Sequence, residues 1–403
     1  MAQVVKLQMM KIISANEDRL CIKIKNIGVD PYAFYLINKG LTINLSISGV
    51  TPCQANIIKQ ESLAVGIDAA VARGVVDCTK PISELCILAH RHGLKKLIEK
   101  LKLQPFGLKE LAVEMELLLE KYKPSIFLGD EILSLEKPQF MAILNVTPDS
   151  FSDGGKYLNR EDIVKRLNEI RSKGVCLVDI GGESTRPFSK RIDALEEWDR
   201  IKFAIEYALK IGFKVSVDTY KSEVALKALD IGSHIINDVS GLSFDEKLPS
   251  VISKYNASLC IMHMKGTPEN MQINPSYKDV VDEVYLYLYR AIEKAKNNGI
   301  NENRIIIDPG FGFGKTLDHN IHLLKYLSEF QSLRKPIMVG ISKKSIIGEL
   351  TGNPIENRTL GSKILETVAL QNGANIIRSH DINESKDLIA IMSKILGSYD
   401  RVI

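Results

Sequence analysis

The sequence predicts an α/β protein: a (β/α)8 TIM barrel over residues 124–403, preceded by a small α/β domain over residues 1–123. Three observations predict it. Apolar, strand-like runs alternate with helix-like stretches eight times over about 265 residues, the count and length of such a barrel. Every run ends in polar or charged residues, at the edge where barrels of this kind carry their chemistry. The first run, Phe140–Leu144, is unbroken and apolar, as in a strand buried on both faces, and opens after Asn145 into a polar segment too long for a tight connection.

At 403 residues the chain exceeds one ordinary domain, and two is the natural count. Hydrophobic residues make up 45% and charged residues 25%, the balance of a globular protein with ample core. The formal net charge of +4 is too weak and too evenly spread to point to nucleic acid or an anionic membrane, so any bound anion must be held by local groups. Lys6 and Lys11 interrupt what would be the apolar region of a signal peptide, and no later run reaches the ~18 uncharged residues of a membrane span. The six cysteines form no CxxC pair, and His90 and His92 lie near Cys86 without zinc spacing. A reduced, cytoplasmic protein is the expectation.

In the first domain, residues 4–14 and 20–25 read as strands. Thr51-Pro52 starts a helix that runs to about Val65, because Thr can cap and Pro needs no amide partner in the first turn. Val75-Val76 and Leu85–Leu88 read as short strands, and residues 94–101 and 108–122 as helices; Leu108, Leu111, Met115, Leu118, Leu119 and Tyr122 share one face of the second. His90 and His92 fit a structural role better than a functional one. A boundary follows at 122–124. Ile126–Leu128 and Ile132–Leu135, around Gly129-Asp130, read as a hairpin.

Barrel strands are expected at 140–145, 175–180, 213–218, 234–237, 258–262, 304–307, 336–340 and 375–378, with helices at 161–173, 194–210, 221–230, 277–297, 318–329, 357–371 and 384–396. An open doubly wound sheet competes, but it usually carries a Gly-rich first turn opening a helix, and here Asn145 opens a Pro-containing loop. The strands end in Asn145, Asp179, Asp218, Asn237-Asp238, His263, Asp308, Ser342–Ser345, and Arg378 with His380. One such residue would be unremarkable as a cap, and capping stays open for Asp179 and Asp238. A polar set at all eight ends is a site. Asp218, Asn237 and Asp308 suit the donor-acceptor edge of a flat heterocycle; Arg378, His380, Lys344 and Arg186 suit phosphate or carboxylate. Residues 308–315, DPGFGFGK, lack the spacing of a Walker motif, so their glycines are read as backbone freedom for an unusual loop.

These motifs resemble the dihydropteroate synthase family from about Ser125 onward: NVTPDSFSDGG at 145–155, GGESTRP at 181–187, SVDT at 216–219, HIINDVSG at 234–241, MHMKGTP at 262–268, DPGFGFGK at 308–315, GISKKSIIG at 340–348 and IIRSHD at 376–381. The resemblance implies a pterin ring held by Asp218, Asn237, Asp308 and Lys344 with Met262 against its face. It implies diphosphate and Mg2+ held by Asn145, Arg378 and His380, with Asn145 the residue on the metal. Aminobenzoate would lie among Asp149, Thr185, Arg186, Pro187, Phe313 and Ser345. Catalytic roles fall to Asp218, Asp149, Lys344 and Arg378. Two departures, Lys343 where Arg is usual and Phe188 where a small residue is common, bear on the aminobenzoate entrance. The implied reaction displaces diphosphate from a pterin methylene by an aryl amine, which needs positioning more than a base and explains the lack of a Ser-His or Cys-His pair. Methyltetrahydrofolate methyltransferases use a related barrel but have no diphosphate to hold. A non-catalytic pterin-binding protein would not need the loops and cations. The partners are these small molecules, with no nucleic acid or membrane; the sequence leaves monomer and homodimer open, and assigns no role to residues 1–123.

Overall fold

The computed structural model describes residues 17–147, 159–184, 189 and 191–397. The described residues divide into two compact units, one ending at Lys121 and one beginning at Tyr122.

The first unit contains α1 (Glu17–Ile27), α2 (Ile37–Gly40), β1 (Thr42–Val50), α3 (Pro52–Ala64), β2 (Asp68–Val71), β3 (Ser83–His90), α4 (Arg91–Leu101) and α5 (Leu108–Leu119). Its three strands form an antiparallel sheet in the order β1-β3-β2. Ile87 and Leu85 of β3 face Leu94, Leu97, Ile98 and Leu101 of α4, whose spacing puts them on one side of that helix. Thr51 and Gln54 make the reciprocal capping box that starts α3, as the Thr-Pro pair predicted.

Two sequence readings of this unit need correction, and two strands were missed. Residues 20–25 form part of helix α1: the alternation of Leu20, Ile22 and Ile24 with polar residues mimics a strand, but the helix stacks Leu20 over Ile24 and sets Leu20 against Gly40. Val75-Val76 lies in a turn, held where Asn56 donates to the Val75 carbonyl. Strands β1 and β2 went unread, although Ile43, Leu45 and Ile47 alternate legibly with Ser, Thr and Asn. The strand expected at 4–14 lies outside the described residues.

The second unit begins with the expected hairpin, β4 (Ser125–Leu128) and β5 (Glu131–Ser134). Eight parallel strands follow, with helices between them: β6 (Gln139–Asn145), α6 (Arg160–Ser172), β7 (Leu177–Gly181), α7 (Ala194–Lys210), β8 (Lys214–Asp218), α8 (Ser222–Asp230), β9 (Ile235–Asp238), α9 (Leu248–Lys254), β10 (Ser258–Met262), α10 (Val280–Asn297), β11 (Ile305–Asp308), α11 (Leu317–Lys325), β12 (Met338–Val339), α12 (Ser345–Thr351), α13 (Thr359–Gln371), β13 (Ile376–Ser379) and α14 (Ile382–Gly397). The order β11-β10-β9-β8-β7-β6-β13-β12 is closed by a parallel bridge between Ile307 and Ile337, making a barrel. Helices α9 and α12 were not read; each is only seven residues long, too short to show helical periodicity.

Apolar side chains fill three levels. Outward-facing strand residues such as Val178, Val215 and Ile236 pack against the helices. Inside, Met141, Leu177, Ile235, Cys260, Ile306, Met338 and Ile376 meet Ile126 and Leu128 of the hairpin, which plugs the amino-terminal end of the barrel. Arg304 fixes that plug by donating to the Gly129 carbonyl and lying 4.6 Å over the Phe127 ring. The opposite end is left for a smaller cluster of Tyr220, Val239, Met262, Met264 and Met271. With the floor sealed, the carboxyl ends of the strands are the open end of the barrel.

Candidate active site

Strand register builds the site. Asn145 pairs with Gly181, Gly181 with Asp218, and Asp218 with Asn237, so four neighbouring strands set these positions in one row. A Cβ at Gly181 would stand 3.3 Å from Asp218 Cβ and 3.6 Å from Asn145 Oδ1; the missing side chain lets the amide and the carboxylate share a wall. Met262 pairs with Asp308 on the next two strands.

Arg378 ties the row to the barrel interior. Its Nε donates to Asp179 Oδ2 at 2.6 Å and its Nη2 to Asp218 Oδ2 at 2.8 Å, while Asn237 Nδ2 donates to Asp179 Oδ2 at 3.1 Å. Burial pushes the Asp218 carboxyl up to about 7, against the pull of the Arg378 guanidinium and with help from Asp179, Glu197 and Asp238. Burial works against the charge of Arg378 too, but the Asp179 and Asp218 carboxylates outweigh it and hold the guanidinium protonated. Asp179 Oδ1 is buried with no hydrogen-bond partner among the described residues.

Asp179 was weighed in the sequence between cap and functional residue. It is no cap: β7 continues to Gly181, and the residue is fully buried in mid-strand. An acid between Val178 and Ile180 in an apolar run was the legible signal. Asp238 resolves the other way, accepting from the Ser240 and Leu242 amides as a turn former.

On the far side, burial raises the Asp308 carboxyl, opposed by Lys344, and its Oδ1 accepts from the Gly310 amide at 2.7 Å. Burial lowers Lys344 to about 8, opposed by Asp308. The Lys344 ammonium donates to the Phe311 carbonyl and lies 4.3 Å over the Phe313 ring. His380 is set by Ser342, whose Oγ lies 3.1 Å from its Nδ1 and accepts its amide at 3.3 Å. Ser345 is exposed at the start of α12. Lys343, with φ of +57°, pairs with Asp381 at 2.9 Å.

The structure therefore gathers Asn145, Asp218, Asn237, Met262, Asp308, Phe313, Lys344, Ser345, Arg378 and His380 at one end of the barrel. Asp149, Thr185, Arg186, Pro187 and Phe188 lie outside the described residues. The residue just before that second segment's core, Glu183, is fastened by bonds from Lys221 and Tyr220, and Lys221 also bonds buried Glu197 of α7. Sequence reading missed this cluster because its members come from three separate stretches.

Fold and site together define an enzyme of the (β/α)8 barrel class, with converging acids, amides and cations at the carboxyl ends of its strands. Residues 141–380 match the family described as pterin binding enzyme, and the chain belongs to that family. A Helicobacter pylori protein, the bifunctional dihydropteroate synthase/dihydropteroate reductase, is 36% identical over 94% of this chain and 97% of its own length. The dihydropteroate synthase of Escherichia coli K12 is 39% identical over 68% of this chain and 97% of its own. A Yersinia pestis dihydropteroate synthase, solved with a sulfonamide drug complex, has a TM-score of 0.65 at 38% identity and covers 68% of this chain and 99% of that one.

Proposed function

We propose that the protein is a dihydropteroate synthase, condensing 6-hydroxymethyl-7,8-dihydropterin diphosphate with 4-aminobenzoate to give 7,8-dihydropteroate and diphosphate. The observation that carries this is the pairing of Arg378 with Asp218: one cation that can reach a diphosphate stands against the carboxylate suited to the ring. Asp218, Asn237 and Asp308 hold the amino-pyrimidinone edge, with Met262 against the ring and Lys344 beside it. Arg378 and His380 hold the diphosphate. The methylene C–O bond breaks with its electron pair leaving on diphosphate, and the aryl amine nitrogen bonds the methylene carbon and gives up one proton. The Asp218 carboxylate stabilises the cationic pterin methylene between these events.

Mg2+ suits the donors present. No group of three or more His, Cys, Asp or Glu that could hold a metal ion occurs among the described residues, and Mg2+ commonly takes one or two protein oxygens with substrate phosphates. Asn145 Oδ1, beside Asp218, is the protein oxygen we assign to it. When bound, Mg2+ would supply charge neutralisation to a leaving diphosphate.

Incubation with the pterin diphosphate, aminobenzoate and Mg2+, followed by mass analysis, should yield dihydropteroate; absence of product overturns the assignment. The H. pylori relative favours a second activity, because its match covers 94% of this chain, more than the second unit alone accounts for, whereas the E. coli synthase covers only 68%. That activity, dihydropteroate reduction, adds a hydride and a proton to the pterin and needs a reduced nicotinamide or flavin. Adding either donor to the same mixture should shift the product by two hydrogens.

Sulfonamides should compete with aminobenzoate, since a para-amino aryl ring is common to both and the sulfonyl oxygens replace the carboxylate. Thr185, Arg186, Pro187, Phe313 and Ser345 are the proposed pocket. Phe188→Gly should strengthen inhibition by a bulky sulfonamide more than by sulfanilamide; equal inhibition in both proteins removes the argument from Phe188. As a partner we propose a second copy of the chain, joined through Leu360 and Ile364 of α13 and Ile391 and Ile395 of α14, all exposed on adjacent helices. Sedimentation should give a dimer that Ile364→Glu dissociates. No helix among the described residues is long and apolar enough to cross a membrane. All six cysteines are unpaired, as suits a reducing compartment, and we propose a cytoplasmic place on that ground.

A further inference from the structure

The loop after β11 is held in an unusual way. Each of five consecutive backbone carbonyls accepts a hydrogen bond from a side chain: Gly310 and Phe313 from Lys315, Phe311 from Lys344, Gly312 from Gln272 at 2.6 Å and Gly314 from the Tyr277 hydroxyl at 2.8 Å. The loop also lies backbone-to-backbone on the segment after β10. A Cβ on Gly310 would fall 1.9 Å from the His263 carbonyl, and one on Gly314 would fall 2.4 Å from the Lys265 carbonyl. Both glycines have positive φ, so no other residue fits on either count.

Lys315 stands at the centre of this arrangement and is 3% exposed. Its Nζ lies 2.8 Å from the Gly310 carbonyl, 3.0 Å from the Phe313 carbonyl and 2.8 Å from His263 Nδ1. With the His263 carbonyl at 3.5 Å, four acceptors surround the amine, and none of them is a carboxylate. The side chain thus occupies the place a small bound cation would take, solvated by carbonyls and one imidazole. His263 must then present Nδ1 as an acceptor; its ring is fixed edge-on to Tyr287 at 4.8 Å.

We propose that Lys315 is a positioning residue of the pterin site, an internal cation that clamps the loop after β11 onto the loop after β10 and so sets Asp308, Phe313 and Met262 at their working distance. The clamp joins both walls that the ring would touch: Met262 immediately precedes His263, Asp308 lies two residues before the Gly310 carbonyl that Lys315 holds, and Phe313 carries the other carbonyl it holds. This rests on the reading of the barrel mouth as a pterin site. The groups proposed for diphosphate, Arg378 on β13 and His380 just past its end, make none of these bonds.

The test uses the full chain with Lys315→Met, which keeps most of the stem and removes the charge, and Lys315→Ala, which leaves room for a small amine. Binding of 6-hydroxymethyl-7,8-dihydropterin and of inorganic diphosphate is measured separately by calorimetry. Lys315→Met should weaken the pterin alcohol by at least about tenfold, the worth of charge-assisted bonds, and leave diphosphate within about twofold. Added n-propylammonium should restore pterin binding to Lys315→Ala and leave the wild type unchanged. Unaltered pterin affinity in Lys315→Met, equal loss for both ligands, or failure of both variants to fold even with the amine would overturn the proposal, the last two by showing a general structural role. Failure of the wild type to bind the pterin alcohol would instead remove the reading of the site.

Discussion

Arg378→Met should lower turnover by at least about a hundredfold and destabilise the second unit by about 3–5 kcal/mol, the cost of leaving buried carboxylates without their partner. Two acids depend on this one guanidinium, Asp179 at 2.6 Å and Asp218 at 2.8 Å, and Asp179 has no other cation bonded to it among the described residues. With the cation gone, the Asp218 carboxyl should titrate above its value of about 7, because Arg378 is the group that opposes its desolvation. Arg378→Lys should regain part of the stability and little of the activity, since one ammonium cannot span both carboxylates as the planar guanidinium does. Thermal melting with steady-state kinetics checks this. A variant with wild-type melting and weakened diphosphate binding would show that the two ion pairs carry no stability.

Asp218→Asn should reduce turnover by roughly 30- to 1000-fold, the ~2–4 kcal/mol commonly lost with one pre-organised electrostatic partner. The isosteric amide keeps the shape of the wall and removes the charge facing the cationic methylene. In the wild type, kcat/KM should fall as pH drops through about 7, because the reaction needs the carboxylate; the variant should lack that limb. Stability should run the other way. The folded-state value lies above the ordinary 3.8, so the contribution of Asp218 to folding is fully present below 3.8 and is lost as pH rises to about 7. Asp218→Asn should therefore gain in melting temperature relative to the wild type across that window. A parallel offset at all pH values would show that Asp218 ionises no differently in the folded chain.

Asp149, Thr185, Arg186 and Pro187 stand apart from these tests, because their roles rest on motif resemblance and they lie outside the described residues. The first unit offers less chemistry. His90 accepts the Gly93 amide at 2.8 Å and so caps α4, which accounts for one of its two histidines structurally.

What the sequence by itself determined was the class of fold and the list of polar strand ends. Both follow from local rules: strands buried on both faces must be apolar along their length, so a residue such as Asn145 or Asp308 closing an apolar run is visible without any partner. The three glycines of DPGFGFGK were legible as backbone freedom for the same reason, and all three have positive φ. Short or misleading periodicities failed for local reasons too, in seven-residue α9 and α12 and in the alternating run that forms α1. Only the tertiary structure decided which polar residues answer one another. Asp179 and Arg378 stand 199 positions apart, and Lys315 and His263 stand 52 apart. Nothing in the spacing of either pair announces a bond, because barrel closure sets the distance across the interior, and the burial that raises Asp218 exists only once the surrounding strands have met.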